Sequence, residues 1–173
     1  MKRLIIAGSI LLTIAYACVK TEPVSPVPQI TFKSFQLVDG YDTALQNNIK
    51  IGILEFSFVD GDADIGIETP YDKTQSLEYN YNVFLYPYKK VNGSYFKVDI
   101  DTTDTLFPPP FYRIEYDSKL DRVGQNKTIK GTITINIDYF ILPSYDTLKY
   151  EFYIIDRAMN KSNVESTNDI GFR

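Results

Sequence analysis

The chain has no histidine, no tryptophan and a single cysteine, Cys18, in 173 residues. Without histidine there is no Ser–His or Cys–His dyad, none of the usual zinc ligands and no commonest general base. One cysteine cannot form an intramolecular disulfide, so the fold carries no covalent staple. Nucleophile motifs and cofactor loops are missing as well, which argues against an enzyme and against a small-molecule cofactor. Positive charge is in short supply: Lys+Arg number 18 against 22 Asp+Glu, for a net charge of −4. A nucleic-acid partner needs a basic surface and is excluded on that ground. The acidity itself is sufficiently explained by solubility.

The N-terminus assigns a compartment. Lys2 and Arg3 precede a mostly apolar run, Leu4 to Ile14, and then Ala15-Tyr16-Ala17-Cys18. The run is too short to span a bilayer, and its flanks are those of a secretory signal. Ala15-x-Ala17 fits an ordinary small-residue cleavage site. The same residues followed by Cys18 resemble a bacterial lipobox, departing from it at Ala15 and Tyr16. A lone thiol at the start of an exported chain gains a role only through acylation, so Cys18 is expected to carry a lipid. Thr21 to Gln29 contains Pro23, Pro26 and Pro28 and reads as a semi-extended tether. The expected organisation is a signal peptide over 1–17, a lipidated cysteine and tether over 18–29, and one domain over 30–173. Such a protein sits in the cell envelope, held to the outer membrane on its periplasmic or surface face. Losing Lys2 and Arg3 takes the net charge from −4 to −6, so the lipid rather than electrostatics must hold it there.

What the chain has in quantity is strand-forming sequence: Tyr 14, Phe 11 and many Ile, Val and Thr. Ile30 to Val38 reads as a first strand with a bulge between Phe32 and Phe35, and Gly40 to Asn48 as a turn. Ile49 to Val59 is a second strand whose apolar parity switches at Ile53-Leu54, by a bulge or by burial on both faces. Glu78 to Lys90 is a third, followed at Asn92-Gly93 by a hairpin turn and a return strand from Ser94. Phe111 to Tyr116 is a short edge strand after three prolines. Ile129 to Phe140 alternates apolar and polar residues without a break, one face in and one face wet. Thr147 to Ile155 repeats the pattern, and Val164 to Phe172 can form a last strand. No helix is expected after the signal. Seven or eight strands in one domain indicate an all-β antiparallel sandwich.

Asp146-Thr147-Leu148-Lys149-Tyr150-Glu151-Phe152 resembles the immunoglobulin D-[ST]-[AG]-x-Y-x-C run at the start of strand F, with Phe152 in the cysteine position and Leu148 in the small one. The resemblance implies an immunoglobulin- or fibronectin-III-like sandwich. It makes Tyr150 a structural corner, its hydroxyl bonding back to the E–F backbone.

Asp60-Gly61-Asp62-Ala63-Asp64-Ile65-Gly66 is the densest chemistry in the chain. It resembles the opening of a calcium loop, in which oxygens at positions 1, 3 and 5 converge on a cation. Ile65 at position 6, Tyr71 at position 12 and the absence of flanking helices reject an EF-hand. A different Ca2+ site would use Asp60, Asp62, Asp64 and Glu68. The same aspartates equally suit a strand-ending turn, bonded to their own backbone amides. In an immunoglobulin-like topology the B–C loop, Asp60 to Leu77, shares an end with the F–G loop, Asp156 to Asn163. Asp156 and Asn160 are then candidates for the missing ligands, and Arg157 for a neutralising ion pair. The D-x-A-x-N-x-S pattern of Asp156, Ala158, Asn160 and Ser162 resembles the F–G turn of bacterial immunoglobulin-like modules, which implies a left-handed Asn160.

The two loop motifs and the leader together resemble small exported lipoproteins of Bacteroidota. The function expected is a non-catalytic, membrane-anchored binding module for a protein or glycan, with Tyr71, Tyr79 and Tyr81 near the loop end. The alternatives are a partner along an edge such as Phe111 to Tyr116, a structural spacer or assembly accessory, and a glycosidase using Glu68 or Glu78 with an aspartate.

Overall fold

A computed structural model describes residues 24–99, 110–118 and 127–172. The signal, Cys18 and the first part of the tether lie outside the described residues. Among those described, the chain forms nine strands and one single-turn helix, and no helix is long and apolar enough to cross a membrane. The strands are β1 (Gln29–Asp42), β2 (Asn47–Asp60), β3 (Val83–Val91), β4 (Ser94–Lys97), β5 (Phe111–Tyr112), β6 (Ile129–Tyr139), β7 (Thr147–Ile154), β8 (Glu165–Ser166) and β9 (Ile170–Gly171). The helix, α1, is Leu77–Asn80.

The strands pair antiparallel into two sheets. One has the order β1-β2-β6. The other runs β4-β3-β7-β8, with β5 also on β3 and β9 on β7. With β1, β2 and β6 as A, B and E, and β4, β3, β7 and β8/β9 as C′, C, F and G, this is an immunoglobulin-like β-sandwich. The core lies between the sheets. Leu54, Phe56 and Phe58 project inward from β2, and Leu148, Tyr150, Phe152 and Ile154 from β7. Phe56 meets Phe152 at 5.1 Å between ring centroids, and Phe35 stacks on Tyr150 at 6.1 Å. The period-2 alternation in β6 and β7 is therefore the signature of one buried face.

Several local expectations are refined. The β1 bulge is present: Phe32 pairs with Phe56 and Ser34 with Glu55, leaving Lys33 over, which turns both Phe32 and Phe35 toward the core. The parity switch in β2 is not a bulge, since its register against β6 is unbroken; the face of Leu54, Phe56 and Phe58 is buried, and Ile51 and Ile53 on the other are half-buried. β1 continues through Gly40, which is a strand residue and not part of a turn. The Ile51 side chain fills the space a Cβ there would need, at 2.5 Å. The third strand starts at Val83, because Leu77–Asn80 coils into a helical turn capped by the Ser76 hydroxyl. Asn80 fixes that turn by donating to the Asp72 and Ser76 carbonyls. The last strand divides into β8 and β9, because Thr167 bonds Tyr150 through both its hydroxyl and its amide. Tyr150 is a buried anchor as expected, but its hydroxyl meets that of Tyr139 at 2.7 Å rather than a backbone group. The expected tether is not wholly free of the domain: Pro28 is fully buried and the Ser25 carbonyl accepts from Gly61.

Candidate metal centre

Strand parity builds the site. On β2 the inward positions Leu54, Phe56 and Phe58 are followed by Asp60, and on β7 Phe152 and Ile154 are followed by Asp156. Each carboxylate inherits the inward direction of its strand. Asp60 is 0% exposed and Asp156 3%. The two strands belong to opposite sheets, so the carboxylates meet across the end of the sandwich where the B–C and F–G loops lie.

The loop after Asp60 adds the rest. Gly61 donates its amide to the Ser25 carbonyl at 3.0 Å. The chains are so close here that a Cβ on Gly61 would lie 2.3 Å from the carbonyl oxygens of both Val24 and Ser25. Ala63 takes a left-handed conformation (φ 59°), which curls the chain back so that the Asp64 amide donates to Asp60 Oδ2 at 2.9 Å. Asp64 then fastens the F–G loop: its Oδ2 accepts from the Ala158 amide at 3.0 Å and its carbonyl from the Arg157 amide at 3.2 Å. Asp156 is held by Asn160, whose backbone amide and Nδ2 donate to its two carboxylate oxygens at 2.7 and 2.9 Å.

Asp60, Asp62, Asp64 and Asp156 each place a carboxylate oxygen within 4.8 Å of the others, an arrangement that could hold a metal ion. Oδ1 of Asp60, of Asp62 and of Asp64 is buried without a hydrogen-bond partner. A buried carboxylate oxygen with no donor is costly unless a cation or a proton meets it. The titration of the cluster expresses that cost. Burial, and then the adjoining Asp62, push the Asp60 carboxyl from 3.8 up to about 7. Burial, followed by the charges of Asp156 and Asp62, pushes Asp64 up to about 6. Arg157 forms no ion pair with the four, and its charge is only the smallest influence on Asp64, a lowering one. Its guanidinium pairs with Glu68 at 2.8 Å and lies over the Tyr116 ring at 5.0 Å.

Four of the six residues expected to bind metal thus come together. Glu68 does not join them, because Arg157 holds it. Asn160 stands behind the cluster as the donor that orients Asp156. The left-handed residue of the F–G turn is Met159 (φ 66°), not Asn160: the Met159 amide closes a turn onto the Asp156 carbonyl at 3.1 Å, and Asn160 follows with its side chain turned back. Sequence reasoning missed the amides of Arg157 and Ala158 and the Ser25 carbonyl, which are backbone groups with no side-chain signal. Of the tyrosines expected near this end, Tyr71 is 60% and Tyr79 38% exposed, while Tyr81 is half-buried with its ring 6.1 Å from that of Tyr71. Glu78 lies in the first turn of α1.

No protein-family model matches the chain, and comparison with characterised proteins and with solved structures gives no match either.

Proposed function

We propose that the protein is an exported lipoprotein, anchored through Cys18, whose sandwich is a non-catalytic binding module with a Ca2+ ion organising its loop end. The observation that carries this reading is the cluster of four aspartates with three unpartnered carboxylate oxygens, placed where the B–C and F–G loops join. Ca2+ suits an all-oxygen site with flexible geometry, completed by waters or backbone carbonyls. By tying Asp60–Asp64 to Asp156, the ion would stiffen both loops and present the exposed Tyr71 and Tyr79 to a protein or glycan. Tyrosine offers a large amphipathic contact at small entropic cost. Glycoside hydrolysis by Glu68 or Glu78 with an aspartate is a weaker account, since Arg157 pairs with Glu68 and Asp60 is fully buried.

The test is thermal unfolding with and without Ca2+. Binding to the native state alone stabilises it through mass action, by about 2.7 kcal/mol at a hundredfold excess over the dissociation constant, and so raises the melting temperature. Chelator should reverse the rise, and the triple change of Asp60, Asp62 and Asp64 to Asn should abolish it. If wild-type melting is the same in Ca2+ and in chelator, the cation reading fails and the aspartates serve only as a capped turn.

A further inference from the structure

The outer side of the β4-β3-β7 sheet carries a lattice of tyrosines and lysines. Alternation on β3 points Phe84, Tyr86, Tyr88 and Lys90 outward, and on β7 Lys149, Glu151 and Tyr153; the register sets Phe84 against Tyr153, Tyr86 against Glu151 and Tyr88 against Lys149. Tyr153 lies 6.2 Å from Tyr86 between ring centroids, and Phe111 of β5 packs beside Tyr86 at 6.5 Å. Four ammonium groups sit over these rings: Lys97 over Tyr86 at 4.0 Å, Lys161 over Tyr153 at 3.7 Å, Lys149 over Tyr95 at 4.5 Å and Lys90 over Tyr95 at 5.3 Å. Lys149 is paired with Glu151 and Lys90 with Asp169. Lys97 and Lys161 are exposed, and among the described residues neither has a carboxylate within ion-pair distance. In a chain of net charge −4, this face presents cations anchored on aromatic rings.

We infer that this sheet face binds an acidic polysaccharide, a chain of sugars bearing carboxylate or sulfate groups, with Lys97 and Lys161, seated over Tyr86 and Tyr153, pairing the anions. Physical arguments narrow the partner to that class. The outer side of a sheet is an open surface suited to an extended chain, whereas small ligands take concave sites. Lysine is depleted in protein–protein interfaces, which makes a lysine-bearing face a poor protein-docking surface. Nucleic acid needs many phosphates neutralised at once by a basic domain, and an acidic chain with two unpaired lysines here cannot do that. An acidic glycan presents a lower charge density, which two lysines can meet. Lys161 belongs to the F–G loop that Asp64 and Asp156 hold, so the test is run in chelator and repeated in Ca2+, and binding in either condition supports the sheet face apart from the cation reading.

The experiment is affinity electrophoresis of the purified protein, in chelator and again in Ca2+, through gels containing polygalacturonate, chondroitin sulfate or neutral dextran. Retardation is expected in one or both acidic polymers, none in dextran, and a loss of retardation as salt screens the contact. K97Q/K161Q should weaken binding on the order of tenfold, the equivalent of about 1.4 kcal/mol, at an unchanged melting temperature. K97R/K161R should retain it, which separates lost charge from lost packing. Equal retardation in dextran, no retardation in either acidic polymer in chelator or in Ca2+, or wild-type binding by K97Q/K161Q would each overturn the proposal. So would binding to single-stranded DNA or to phosphatidylserine vesicles without binding to the acidic polymers.

Discussion

Asp60 and Asp156 occupy equivalent places in the two sheets: each is the next inward-facing position after the last inward-facing apolar residue of its strand, Phe58 on β2 and Ile154 on β7. A carboxylate at that position is buried by the same alternation that buries the core. Their opposition across the sandwich end makes the site a product of strand register as much as of the loop that follows.

The first prediction comes from that burial. With no cation bound, Asp60 is a carboxyl held in the interior beside three others, and its ionised form is disfavoured. Asp60→Asn removes that charge while keeping an oxygen to accept from the Asp64 amide. In chelator near pH 8, D60N should melt at or above the wild-type temperature. In Ca2+ it should show little or none of the wild-type rise. A clear loss of stability in chelator would show that the carboxylate, not the ion, holds the loop.

The second prediction concerns pH. The ordinary carboxyl value of 3.8 governs the unfolded chain, whereas folding raises Asp60 to about 7 and Asp64 to about 6. Between pH 4 and 7 the native state therefore binds more protons than the unfolded one, and stability falls as pH rises. Below that window both states are protonated, and above it both are ionised, so the loss is complete. Chelated protein should show a melting temperature that declines from about pH 4 to about pH 7 relative to D60N/D64N measured over the same range. Ca2+ should cancel the decline at its upper end, because the ion replaces the protons. Parallel pH profiles for the wild type and the double variant would refute the assignment.

Legibility from sequence followed burial. β6 and β7 were readable because one face of each is buried and the other is wet on β6 and half-buried on β7, so alternation reports the fold directly. Tyr150 and Asp156 follow from that register. What escaped is set by contacts between distant segments. Helix α1 depends on Asn80 bonding the Asp72 carbonyl, and a four-residue helix leaves no periodicity to read. Gly40 carried a turn signal but is there because Ile51 needs its space. Glu68 looked like a ligand by spacing, and only the path of the F–G loop brings Arg157 to claim it.

A third prediction tests the core. Phe152 is fully buried, touching Phe56 at 5.1 Å and Phe32 at 6.4 Å between ring centroids. Phe152→Ala should cost about 3–5 kcal/mol, a large share of the stability of a domain this size. Urea unfolding should show a lower midpoint with a similar slope. A loss under about 1 kcal/mol would mean that the two sheets do not pack through this ring.

The last prediction concerns the anchor. Cys18 is the only cysteine in the chain, follows a signal-like run, and stands ahead of a proline-rich segment whose far end, Ser25 to Pro28, is held on the domain. Only a few residues from Cys18 to Val24 would then separate a lipid from the folded body, so the domain would sit close to the membrane with limited freedom. A single acyl chain gives marginal, reversible binding, and stable anchoring takes more than one, so a multiply acylated cysteine is the expected form. With a net charge of −6 once Lys2 and Arg3 are lost, the chain has little electrostatic attraction to an anionic bilayer to fall back on. Cys18→Ala should move the protein from the membrane fraction to the soluble fraction while leaving its melting temperature unchanged. Retention of the Ala variant on membranes after a carbonate wash, which strips peripheral contacts, would rule out the lipid as the anchor.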